Sequence, residues 1–103
     1  MPTIMEHKQY DAVVSGELAG SGTATQGPDI PCRAVVFTAV SSNTGKVYLG
    51  GAAVTAPDGV TDTTSGIELQ AGDMTPFFPV SNLNKFFYIC SSSVDDLCYL
   101  ALR

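Results

Sequence analysis

The residues of this sequence that could do chemistry are its carboxylates and thiols. Asp95 and Asp96 stand side by side, Asp58, Asp62 and Asp73 fall in three separate polar loops, and Cys32, Cys90 and Cys98 are the only cysteines. Two carboxylates act as an acid–base pair only when both reach one reacting group. Neighbours in a strand point to opposite faces, and in a turn both face water, so Asp95-Asp96 reads as a turn pair. Asp58, Asp62 and Asp73 offer the hard oxygens that Ca2+ collects, but without EF-hand spacing the preferred reading is solvated loop carboxylates. The single histidine, His7, stands far from the thiols in sequence, and the cysteine spacing fits no zinc pattern. Gly50-Gly51 with Gly45 does not open a helix after a strand and is no phosphate loop. No nucleophile has a base and an orienting partner. The expectation is a protein that is not an enzyme, with no metal and no cofactor.

Charge narrows the partners. Ten acidic residues against five basic ones leave a net charge of −5, and Lys8, Arg33, Lys46, Lys85 and Arg103 are scattered singly. Binding phosphates takes clustered cations, so nucleic acid and anionic membranes are not expected partners. No apolar run approaches a membrane span, and residues 1–20 carry Glu6, His7, Lys8 and Asp11 where a signal peptide needs an apolar stretch. An odd number of cysteines leaves one thiol unpaired, which suits synthesis in a reducing cytoplasm. With 103 residues, 45% hydrophobic and 15% charged, the chain is expected to fold as one domain.

The elements that must position these groups read as strands. Tyr10, Ala12, Val14, Gly16 and Leu18 share one parity, as in a short strand. Residues 20–31 are turn and coil formers with little to bury. From Cys32 onward β signals are nearly continuous. Arg33-Ala-Val-Val-Phe-Thr-Ala-Val40 suits a strand buried on both faces or partly so. Ser41-Ser-Asn-Thr-Gly45 then turns the chain into Lys46-Val-Tyr-Leu-Gly50, which reads as the second strand of a hairpin. Ala52 to Thr55 is a further short strand before the turn Ala56-Pro-Asp-Gly59, and Ile67-Glu-Leu69 is another. Pro76 and Pro79 confine residues 74–80 to an edge. A final hairpin turning about Val94 would set Cys90 opposite Cys98, Tyr88 opposite Leu100 and Phe86 opposite Leu102. Cys90 and Cys98 could then form a disulfide, although two small buried thiols are the preferred reading.

No segment of ten or more residues has helical periodicity. The fold expected is all-β, a small antiparallel β-sandwich or jelly-roll-like barrel. Residues 1–30 are expected to form an extended N-terminal arm with one possible strand, and residues 31–103 the compact β domain. If that strand instead belongs to the sandwich itself, only residues 1–9 are loose. Aromatic residues exceed what one small core can hold, so an interface with another subunit or with a larger assembly is expected at Tyr10, Val13, Phe77, Phe78 and Phe87, the subunit contact centred on strands near residues 77–88.

Several segments carry a resemblance. Residues 31–40 lead to Asn43-Thr-Gly-Lys-Val-Tyr-Leu-Gly-Gly51. Gly66-Ile-Glu-Leu-Gln-Ala-Gly-Asp73, Val80-Ser-Asn-Leu-Asn-Lys-Phe-Phe-Tyr-Ile89 and Tyr99-Leu-Ala-Leu102 then follow. Over residues 31–103 this order resembles small virion proteins of tailed bacteriophages. The motifs are turns and strands, and the loop around residues 57–65 is longer than that family's pattern. The resemblance implies a building block on the virion surface, made in the host cytoplasm. Its first form is a head decoration (cement) protein that binds the major capsid protein as a homo-oligomer, trimer or dimer. The alternative is a tail or fibre-associated β module that binds a host-surface receptor or glycan.

Overall fold

The β-branched and aromatic run of residues 34–39 forms an interior strand of one of two facing sheets. The computed structural model describes residues 11–56, 66–91 and 95–103. Among the described residues eight strands run in chain order: β1 (Val13–Leu18), β2 (Thr25–Gln26), β3 (Ala34–Ala39), β4 (Val47–Gly50), β5 (Ile67–Leu69), β6 (Phe78–Pro79), β7 (Phe87–Cys90) and β8 (Leu97–Leu102). They form two antiparallel four-stranded sheets, ordered β1-β8-β3-β6 and β2-β7-β4-β5. Strand β1 pairs with β8, β2 with β7, β3 with β6 and β4 with β5. The chain is thus one long hairpin rolled over on itself, a jelly-roll sandwich. The all-β expectation holds.

Each sheet turns one parity of its strands inward. Val35, Phe37 and Ala39 of β3 and Leu97 and Ala101 of β8 meet Val47 and Leu49 of β4 and Tyr88 and Cys90 of β7 in a single core. Phe37, Phe78 and Phe86 pack as an aromatic cluster with ring centroids 5.0–6.5 Å apart. Among the described residues one 3-10 turn, Leu83–Lys85, stands between β6 and β7. Asn82 caps it, accepting from the Asn84 N–H at 2.9 Å and from the Ile30 N–H at 3.1 Å, which ties the turn to the loop after β2.

Strand β1 is built into the domain. Val14, Gly16 and Leu18 face inward while Val13, Ser15 and Glu17 face outward, the parity read from the sequence. Strand β2 enters the other sheet beside β7. Residues 13–26 therefore contribute a strand to each sheet. That is the arrangement in which the strand belongs to the sandwich itself; residues 1–9 and Tyr10 lie outside the described residues.

Both hairpins expected from the sequence are corrected. Strand β3 pairs with β6 and β8, whereas β4 lies in the other sheet. Likewise β7 pairs with β2 and β4, and β8 with β1 and β3. Cys90 stands opposite Val47, while Cys98 stands opposite Glu17 and Thr38 in the facing sheet. Tyr88 and Leu100 do not meet, and all three cysteines are free thiols. The reason is burial. A flat hairpin would leave one apolar face of each strand uncovered, whereas crossing between sheets packs those faces against each other. The strand expected at Ala52–Thr55 is a turn, in which the Val54 N–H donates to the Gly51 carbonyl at 3.0 Å. The loop at 57–65 and Val94 fall outside the described residues.

The two crossings are clasped together. Asn43 donates from Nδ2 to the Asp96 carbonyl and accepts at Oδ1 from the Asp96 N–H, both at 2.9 Å. Asp95 accepts from the Thr44 N–H at 2.8 Å and from the Gly45 N–H at 2.7 Å. Ser91 Oγ accepts from the Lys46 N–H at 2.8 Å. Asp95, expected to face water, is only 1% exposed, because its carboxylate replaces water for two backbone amides of the opposite corner. A Cβ at Gly45 would strike Ser91 Oγ and stand 2.8 Å from Asp95 Oδ2, so a larger residue there would have to displace these side chains.

Candidate interaction surface

The sheet that buries one parity of β3 and β8 presents the other parity outward. Register sets Ala34 opposite Leu102, Val36 opposite Leu100 and Thr38 opposite Cys98, with Val13, Ser15 and Glu17 on the far side of β8. An aliphatic row therefore runs across the outer face through Val13, Leu102, Leu100 and Val36. Met74, bridged to Thr38, extends it. Val13 is 63% and Met74 69% exposed. A shallow cavity of about 280 Å³ opens here among Val36, Thr38, Met74, Cys98 and Leu100. Charge is confined to the rim, where Glu17 ends the row and an exposed Asp11–Arg33 ion pair at 3.5 Å flanks it. A contiguous apolar face rimmed by charge is the signature of a docking surface.

The surroundings of the thiol on this face disfavour its thiolate form. Burial pushes the Cys98 thiol above its ordinary value, and the negative charges of Glu17 and Asp96 push it the same way. Burial likewise raises Cys90, whose thiol points at the Asp95 carbonyl, and Cys32. Nucleophilic cysteines need the opposite environment, one that favours the thiolate.

A larger, more polar hollow of about 440 Å³ lies at the clasp, lined by Asn43, Thr44, Lys46, Tyr48, Gln70 and Ser91. Much of its polar chemistry is spent within the chain. Asn43 holds Asp96, Ser91 Oγ holds the Lys46 amide, and Lys46 Nζ pairs with Glu68 at 3.2 Å. Asp73 caps its own turn, accepting from the Gln70 N–H at 2.9 Å; Asp58 and Asp62 lie outside the described residues. Among the described residues no three His, Cys, Asp or Glu side chains converge as a metal site.

The residues singled out for an interface do not form one patch. Val13 lies on the outer face just described, and Phe77 is 49% exposed on the approach to β6. Phe78 turns inward onto Phe37 and Phe86. Phe87 is half-buried on the outer side of the other sheet, opposite Gly50 and Gln26. The aromatic surplus that motivated an interface near residues 77–88 is thus largely consumed by the core. What sequence reasoning missed is the aliphatic row through Val36, Leu100 and Leu102. Its signal was visible, since residues 34–37 and 97–102 place apolar side chains at both parities.

No protein family, curated protein or solved structure matches this chain.

Proposed function

We propose that this chain is a structural, non-catalytic component of a tailed-bacteriophage particle, a head decoration protein that binds the assembled shell of major capsid protein. The observation that carries the reading is the outer face of the β1-β8-β3-β6 sheet. It is aliphatic from Val13 to Met74 and rimmed by charge. Jelly-roll sandwiches also serve as capsid and lectin domains, which agrees with the resemblance of residues 31–103, although a fold alone does not assign a role. The net charge of −5 and the scattered cations favour a protein partner over nucleic acid.

Quantitative mass spectrometry of purified particles tests the reading. Hundreds of copies per particle support decoration, and copies in single digits or low tens transfer the chain to a tail or fibre. Val36→Glu combined with Leu100→Glu, both on the outer face, is expected to abolish binding to heads while leaving the circular dichroism spectrum unchanged. Undiminished binding by a folded double variant would overturn the assignment of this face.

A further inference from the structure

Strand β1 is an edge strand, and its hydrogen-bonding pattern decides which backbone groups it leaves open. Ala12 and Arg103 exchange both of their bonds, N–H to carbonyl in each direction. In an antiparallel ladder such reciprocal pairs alternate with unbonded ones. Following the register Val14↔Ala101, Gly16↔Tyr99 and Leu18↔Leu97, the even residues of β1 bond to β8. Val13, Ser15 and Glu17 must then turn their N–H and C=O groups to the open side.

The other three edges are blunted. Strand β6 is two residues long and includes Pro79, β2 has two residues, and β5 three. Short edges and proline are the usual means of preventing edge pairing. Strand β1 has neither: it is six residues long, without proline or lysine, and its register on β8 is unbroken. A long regular edge with alternate free donors and acceptors is complementary to another such edge.

We propose that β1 pairs antiparallel with β1 of a second copy of this chain, about a two-fold axis at Ser15. Ser15 then exchanges two bonds with Ser15 of the second copy, and Val13 exchanges two with Glu17 of the second copy at each end. This register uses every open group on the edge, and the interface is isologous, the same patch on both copies. It also separates the charges. The two Glu17 side chains stand four residues apart along the paired strands, roughly 14 Å at about 3.4 Å per residue, beyond the screening length of about 8 Å at physiological salt. Centring on Glu17 would set the two carboxylates opposite each other. Centring on Gly16 would call on the Ala19 carbonyl, which already accepts from the Tyr88 hydroxyl at 2.7 Å. The pairing makes one continuous sheet and joins the two outer aliphatic rows through Val13. It stands independently of what those rows bind.

Sedimentation of the full chain at micromolar concentration tests the proposal. The wild type is expected at twice 10.8 kDa. Ser15→Lys places like charges opposite each other on the exposed face, and Ser15→Pro removes the central N–H; both are expected at 10.8 kDa with an unchanged circular dichroism spectrum. Should Ser15→Pro fail to fold, Ser15→Lys decides, because its side chain points to solvent. The central pair has Cα atoms about 5.5 Å apart, within disulfide reach, so Ser15→Cys is expected to cross-link two copies under a mild oxidant. A monomeric wild type, or a dimer that Ser15→Lys leaves intact and Ser15→Cys does not cross-link, overturns the pairing. Monomeric Ser15→Lys that still binds heads would leave the decoration reading standing.

Discussion

Replacing Asp95 should cost this protein a large part of its stability. The carboxylate is buried at 1% exposure and accepts from the Thr44 and Gly45 N–H groups at 2.8 and 2.7 Å. Hydrogen bonds to a charged group contribute about 1.5–3 kcal/mol each, and a buried amide left without a partner costs about 1–3 kcal/mol. Asp95→Asn keeps one acceptor oxygen and turns an NH2 toward the second amide, so the loss is about 2–3 kcal/mol. Asp95→Ala removes both bonds to the carboxylate and should cost about 3–5 kcal/mol. A domain of this size has only about 5–15 kcal/mol in total. At about 4–8 °C per kcal/mol, Asp95→Asn should lower Tm by on the order of 10–20 °C. Urea unfolding followed by circular dichroism checks the energies, and calorimetry the Tm. The order wild type, Asn, Ala is the essential result. Both variants melting within a few degrees of wild type would show that the clasp between the two corners contributes nothing. As a companion, Gly45→Ala should destabilise through the same contact, since its Cβ meets Asp95 Oδ2 and Ser91 Oγ.

Alkaline pH should destabilise the fold. Burial raises Cys32, Cys90, Cys98 and Tyr88 above their ordinary values of 9.0 and 10.0, so the unfolded chain ionises first, and stability present below about pH 9 is lost as pH rises through the raised values. Urea midpoints that stay flat from neutral pH to beyond this range would contradict it. Alkylation of the native protein by iodoacetamide should reach the half-buried Cys98 before the buried Cys32 and Cys90, and oxidation should form no Cys90–Cys98 bond within one chain, because the two stand in different sheets. Peptide mapping that finds this bond in folded protein would refute the strand assignment. Phe78→Ala should lose about 2–4 kcal/mol from the cluster with Phe37 and Phe86, somewhat less than a fully buried Phe, whereas exposed Phe77→Ala should change stability by less than about 0.5 kcal/mol. Equal effects in thermal melts would mean that the two rings are not on opposite sides of the backbone.

The class of the fold was legible in the residues. Alternation in β1, the β-branched and aromatic run of β3, and the prolines that confine residues 74–80 to an edge are local properties, and each appears where the pattern put it. The loop position of Asp73 was legible too, but its role was not: read as a solvated carboxylate, it caps its own turn. The candidate surface was legible only in part: Val13 was singled out, but Val36, Leu100 and Leu102 were not.

What tertiary structure alone decided is the partner of each strand. A period of two residues says which side chains share a face, but not which sheet that face belongs to. Strand β8 lies beside β1, its most distant neighbour in sequence, with Val13 opposite Leu102, and no local signal encodes such a pairing. The same long-range choice carried β7 and β8 into opposite sheets and separated Cys90 from Cys98. It buried Asp95 against the Thr44–Gly45 backbone fifty residues away and drew Phe78 into the core. Residue type set the strands and turns, because those depend on neighbours along the chain. Packing set the roles of individual side chains, because burial depends on neighbours across it.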